Sequence, residues 1–266
     1  MIMIFLANKP INISSNHFAQ KLGRKLELKL GYSGTLDPFA SGALLMACKK
    51  HTKLFRFFNL EPKIYNATIW LGANSPSFDN ENISLHNVEE LNLKQLQDAF
   101  SHFQGSITYT PPKFCAKKIN GKRAYELARN NEDFNLNPCV MNVKAKLLYY
   151  SHPFIKFELI ASKGTYVRSY AQLICNYLNV VGTLSSLQRV SEGNFNKFKE
   201  YNAFDSVNLA ENYYLGDIKD ILLGKKLDIS NFSNKKYGIY KINLGETFSI
   251  IEINDNISYL LNKIEK

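Results

Sequence analysis

The sequence predicts a large domain that mixes helices with strands, followed by a small β-rich module. Three observations carry this. The chain has 266 residues, 45% hydrophobic and 21% charged, which suits one large domain plus a small one. Before Val207, strand-like runs (Lys63–Leu71, Val140–Tyr150, Phe154–Ser162) are interspersed with segments of helical period. After it only short β-like runs are evident, Tyr237–Ile242 and Thr247–Ile253, separated by Leu244 and Gly245. The expected division is 1–207 and 208–266.

Taken in order, Ile2–Ala7 reads as a short buried strand running into Asn8, Lys9 and Pro10. Ser14 or Ser15 is placed to cap a helix over His17–Lys29, with Phe18, Leu22 and Leu26 on one face. Gly31–Gly42 has neither period and reads as a loop, followed by the apolar Ala43–Cys48. Pro62 and Gly72 bound the Lys63–Leu71 strand, and Asn74–Asn92 is polar and irregular. Asn92 is set to cap a helix whose buried stripe is Leu93, Leu96, Phe100 and Phe103. Thr110–Gly121 opens on two prolines, is rich in lysine, and reads as an exposed loop leading to a short helix near Arg123–Arg129. Ser151, His152 and Pro153 turn the chain between two paired strands. A helix over Thr165–Leu178 and a strand over Thr183–Arg189 complete the large domain.

Thirty-three Lys and Arg against 23 Asp and Glu give a formal charge of +10. From Asn208 to Lys266 there are 8 Lys and 8 acidic residues, so residues 1–207 carry the whole excess. It concentrates at Lys21–Lys29, Lys49–Arg56 and Lys113–Arg129. Any one cluster reads equally well as a solvated helix face; three in one region favour a phosphate-backbone footprint over an anionic membrane. Cys48, Cys115, Cys139 and Cys175 lie far apart with no ligand-like spacing, so no metal site, no disulfide framework and a reducing compartment are expected. Met1–Leu6 is too short for a signal-peptide core, and no stretch approaches the roughly 18 apolar residues of a membrane span. A cytoplasmic monomer is the expectation.

Asp37 is the residue of chemical interest. In a Gly-rich loop an aspartate is commonly a turn former. Gly31, Gly34 and Gly42, however, permit unusual backbone angles and close approach of another chain, and Pro38 biases Asp37 away from helical angles. With an ordinary carboxyl pKa of about 3.9, an aspartate is an ionised nucleophile at neutral pH without a helper base.

Two segments here, Asn8-Lys9-Pro10-x-x-x-Ser14-Ser15 and Gly31-x-x-Gly34-Thr35-Leu36-Asp37-Pro38-x-Ala40-Ser41-Gly42, resemble the first two motifs of the TruB family of tRNA pseudouridine synthases. Lys63-Ile64-Tyr65, Pro111-Pro112 through Tyr125, Lys163-Gly164-Thr165-Tyr166-Val167-Arg168 and Leu187-Gln188-Arg189 follow in the family's order. The resemblance spans about residues 5–195. It implies an α+β fold: a mixed, mainly antiparallel central sheet flanked by helices, with an RNA-gripping insertion at about 105–135 and a C-terminal module similar to PUA domains. It implies isomerisation of uridine to pseudouridine at position 55 of the tRNA T-loop, with no cofactor and no metal. Asp37 would link covalently to the target nucleotide, Arg168 would pair with Asp37, and Tyr65 would stack on the base. Tyr166 would wall the flipped-base pocket, Leu187 would bind the substrate, and Tyr32 would offer a stacking ring where the family's His helps the base leave its stack, while Lys9, Lys117, Lys118, Lys122 and Arg123 would meet the RNA backbone. A tRNA-binding or folding factor that has lost turnover is the alternative.

Three departures stand out. Tyr32 occupies a position where the family usually has His. The segment Asn74–Asn82 replaces a Thr-x-Thr-x-Asp-x-x-Gly run and lacks its glycine. Asn12 stands where glycine is common, and Asn tolerates positive φ better than most residues.

Overall fold

In the computed structural model, which describes residues 3–266, the larger part of the chain builds one eight-stranded sheet. Its strands are β1 (Ile4–Lys9), β2 (Leu30–Tyr32), β3 (Ser41–Cys48), β4 (Lys63–Leu71), β5 (Gly105–Tyr109), β6 (Cys139–Ser151), β7 (Phe154–Ala161) and β8 (Gly182–Glu192). They run in the order β1-β3-β8-β4-β7-β6-β5, with β2 on β3. Every pairing is antiparallel except β3 with β8. The expected mixed, mainly antiparallel sheet is therefore present. Met1 and Ile2, where the expected first strand begins, lie outside the described residues.

Helices α1 (Ser15–Leu26), α2 (Leu93–His102) and α4 (Val167–Tyr177) flank this sheet, and α3 (Ala124–Arg129) packs beside Lys122–Arg123 in the insertion. Ser14 caps α1 by accepting from the His17 N–H, and Asn92 caps α2 in a reciprocal box with Gln95. Leu96, Ala99 and Phe100 of α2 and Tyr170, Ala171 and Ile174 of α4 pack into the main core with Ile69, Phe157 and Leu159. Leu93, expected on the buried stripe, is exposed; Leu91, just ahead of the helix, is buried in its place.

Strand β3 explains its own composition. Ala43, Leu45 and Ala47 point into a cluster with Ile4, Phe248 and Ile250, while Leu44 and Met46 meet Ala19 of α1. Buried on both faces, it has no polar alternation to show. Pairing with β3 also draws Gly31 and Tyr32, read as loop, into β2 opposite Ala47 and Met46. In the expected exposed loop, Pro111, Pro112 and Cys115 are instead buried, because Thr110 and Phe114 offer their carbonyls to Ser169 and Arg168 of α4.

A second sheet, β9 (Ala210–Glu211), β10 (Gly238–Asn243), β11 (Thr247–Ile253) and β12 (Ile257–Glu265), forms the C-terminal part in that order. It has its own cluster around Phe232, Tyr240 and Ile251, and it also lends Phe248 and Ile250 to the cluster beneath β1 and β3.

Candidate active site

The loop between β2 and β3 that carries Asp37 is tied down on both sides. The Ser15 hydroxyl accepts from the Leu36 N–H at 2.8 Å and donates to the Leu36 carbonyl at 2.9 Å. Lys9 Nζ donates to the carbonyls of Pro10 (2.9 Å), Ile13 (2.7 Å) and Pro38 (3.3 Å). Leu36 and Phe39 anchor the loop in the main core. The Asp37 side chain itself stays 32% exposed. The carboxylate thus stays partly open on a backbone tied down by hydrogen bonds.

Arg168, in the first turn of α4 and almost wholly buried, approaches that carboxylate with two nitrogens. Nη2 donates to Oδ1 at 3.1 Å. Nε lies 2.9 Å from Oδ2, yet its N–H is not aligned for a hydrogen bond, so that contact is charge proximity. The remaining donors reach the Ser77 and Phe114 carbonyls, both at 2.8 Å. Nη1 is also 3.7 Å from Asp79 Oδ2. Arg168 is therefore the hub that joins the Asp37 loop, the Ser75–Glu81 loop and the insertion.

Asp79 is a site residue that sequence reasoning did not single out. It is buried, accepts from Ser77 Oγ at 2.5 Å and from the Glu81 N–H at 3.1 Å, and its carbonyl accepts from Thr183. The altered Asn74–Asn82 segment thus keeps an ordered loop. Asn82 takes φ +51° where the family run has glycine, and Asn12 likewise takes φ +61°.

Tyr65 on β4 is buried between Leu159 and Arg189 of its neighbour strands. Burial pushes its phenol up, with the Arg189 guanidinium opposing and the Glu192 and Asp37 charges adding to the rise. Tyr166, just before α4, is half-buried 6.5 Å from the Tyr109 ring, and burial raises its phenol as well. Leu187 joins the same core. Asp37 thus pairs with Arg168 and lies within electrostatic reach of Tyr65 and Tyr166, while Leu187 sits opposite Ala67 in the same extended core. Tyr32 packs half-buried against the cluster of Ala19, Leu44 and Met46.

Lys9 requires correction. Expected to face RNA phosphates, it is fully buried with its ammonium spent on three carbonyls. Burial lowers its pKa to about 8, against a rise from Asp37 and with a further lowering from Arg189. Between 8 and the ordinary 10.5 the unfolded chain binds more protons, so this group makes stability rise with pH. Lys9→Met is expected to lose that rise: the wild-type advantage in urea melts should widen from about pH 7.5 to about pH 10.

In the insertion, Lys118–Ile119 and Lys122–Arg123 form a two-stranded ribbon whose basic side chains are exposed. Lys122 Nζ lies 3.7 Å from Glu132, Arg123 donates to the Ala116 carbonyl, and Lys117 Nζ meets Cys139 Sγ at 2.6 Å. Lys117 is accordingly half-buried and turned inward. The basic runs of α1 and of Lys49–Phe57 are largely exposed. Among the described residues there is no His, Cys, Asp and Glu cluster fit for a metal ion, and no helix is long and apolar enough to cross a membrane.

A second ionic group lies under the Asp37 loop. Arg189 donates to the Ala43 carbonyl (2.6 Å) and the Gly34 carbonyl (2.9 Å), and Glu192 beside it pairs with Lys63. Gly42 makes this approach possible: at φ +102°, an added Cβ would lie 2.2 Å from the Arg189 carbonyl oxygen.

A family profile described as TruB family pseudouridylate synthase (N terminal domain) matches residues 20–167. A protein of Campylobacter concisus called tRNA pseudouridine synthase B is 50% identical, with all of both chains covered. A protein of the same name from Campylobacter jejuni is 46% identical over the same full coverage. The solved structure of a Cbf5-Nop10-Gar1 complex shares the fold at 17% identity with a TM-score of 0.66, covering 100% of this chain and 84% of that one. With the paired Asp37 and Arg168 in place on that fold, the chain belongs to the TruB family of pseudouridylate synthases.

Proposed function

We propose that this enzyme converts uridine 55 in the T-loop of tRNA to pseudouridine, with Asp37 as the covalent nucleophile. The observation that carries the reading is the half-open carboxylate of Asp37 held by the buried Arg168. The reaction breaks the C1′–N1 bond, forms C1′–C5, and exchanges a proton on C5 for one on N1. It needs no oxidant and no net water. A uridine must leave its stack to reach Asp37, and Tyr65 and Tyr166 offer rings to receive it. Tyr65 stays a neutral phenol at physiological pH, since its burial disfavours the phenolate. It therefore stacks and donates rather than acting as a strong base. The names of the full-length relatives support tRNA as the substrate.

Purified protein incubated with an unmodified tRNA transcript should place pseudouridine at position 55, read by chemical mapping. Modification elsewhere only would overturn the T-loop assignment. Tight binding without any modification would favour a binding factor.

A further inference from the structure

We infer that Glu192 is a positioning residue that fixes the Asp37 loop from beneath, acting through Ser33, Lys63 and Arg189. This rests on the reading of Asp37 as nucleophile. Glu192 stands at the end of β8 and is fully buried. A carboxylate in that setting persists only with opposite charge and donors around it. Its oxygens divide the work. Oε2 accepts from the Ser33 hydroxyl at 2.7 Å and lies 3.5 Å from Arg189 Nη2; Oε1 lies 2.8 Å from Lys63 Nζ.

Arg189 extends the same grip to the Gly34 and Ala43 carbonyls. Both flanks of the Asp37 loop are therefore fastened to one buried ionic group. Gly34 shows how closely the loop lies on it: an added Cβ would sit 2.6 Å from Lys63 Nζ and 2.9 Å from Glu192 Oε1. Neutralising the buried Arg189 and the half-buried Lys63 would explain Glu192 alone. It would not explain why one oxygen is given to Ser33, a loop residue with no charge to balance. That hydroxyl converts a buried ion pair into a clamp on the nucleophile's backbone.

The test measures kcat and KM on a tRNA transcript for Ser33→Ala, Ser33→Thr, Glu192→Gln and Asp37→Ala, with a melting midpoint for each. A displacement near 1 Å at a reacting group is worth on the order of 100-fold, so losses up to that size are expected. Glu192→Gln should lower kcat about 10- to 100-fold and Ser33→Ala about 3- to 10-fold, with KM within about twofold because Glu192 is fully buried and the Ser33 hydroxyl is turned to it. Ser33→Thr, which keeps the hydroxyl, should stay near wild type. Wild-type kcat in Ser33→Ala, an equal loss in Ser33→Thr, or a loss confined to KM would overturn the inference, even if Glu192→Gln failed to fold. Turnover retained by Asp37→Ala would instead overturn the nucleophile reading itself.

Discussion

Asp37→Asn is expected to lower the rate of pseudouridine formation at least ~1000-fold, because an amide cannot form the covalent link that the carboxylate makes. The substitution preserves shape and keeps an acceptor for the Arg168 Nη2 hydrogen bond, so the loop should hold its place. Affinity for tRNA should be unchanged or slightly tighter, since a negative charge leaves a surface that meets a polyanion. Single-turnover assays with saturating enzyme separate the two quantities. A rate within tenfold of wild type would remove Asp37 from the chemistry.

Arg168→Met carries the second large effect, and it falls on stability as well as rate. The buried guanidinium serves Asp37, Asp79 and the carbonyls of Ser77 and Phe114 at once. Removing one side of such a buried charge network costs roughly 3–5 kcal/mol. The folded fraction of Arg168→Met should have lost at least ~100-fold in kcat, because nothing then aims the carboxylate. Arg168→Lys should recover part of the stability and little of the rate, since one ammonium cannot span both carboxylate oxygens and two carbonyls. Chemical denaturation and turnover measured on the same preparations test both statements. Wild-type stability in Arg168→Met would show that the network is not held as the geometry implies.

Legibility in the sequence followed local punctuation. Strand β4 was readable to the residue because Pro62 and Gly72 bracket the run. Both N-caps were readable from their side chains. Strand β12 was not, because Asn262 and Lys263 interrupt its apolar positions. The partnership of Asp37 with Arg168 spans 131 residues, and only motif resemblance could suggest it. Lys9 was misread because a lysine beside a proline looks like surface; its burial depends on three carbonyls that converge only in the folded chain. Asp79 and Glu192 were missed for a similar reason: each is a single acidic residue whose partners lie far along the chain or in an irregular loop.

Strand β3, sealed on both faces, leads directly out of the Asp37 loop. Amides along Leu44–Met46 should therefore be among the slowest in the molecule to exchange with deuterium, opening only with global unfolding. An aspartate joined to such a strand has no soft hinge on that side. If a uridine is brought to Asp37, adjustment on the β3 side then has to come from the nucleic acid or from the other elements around the site.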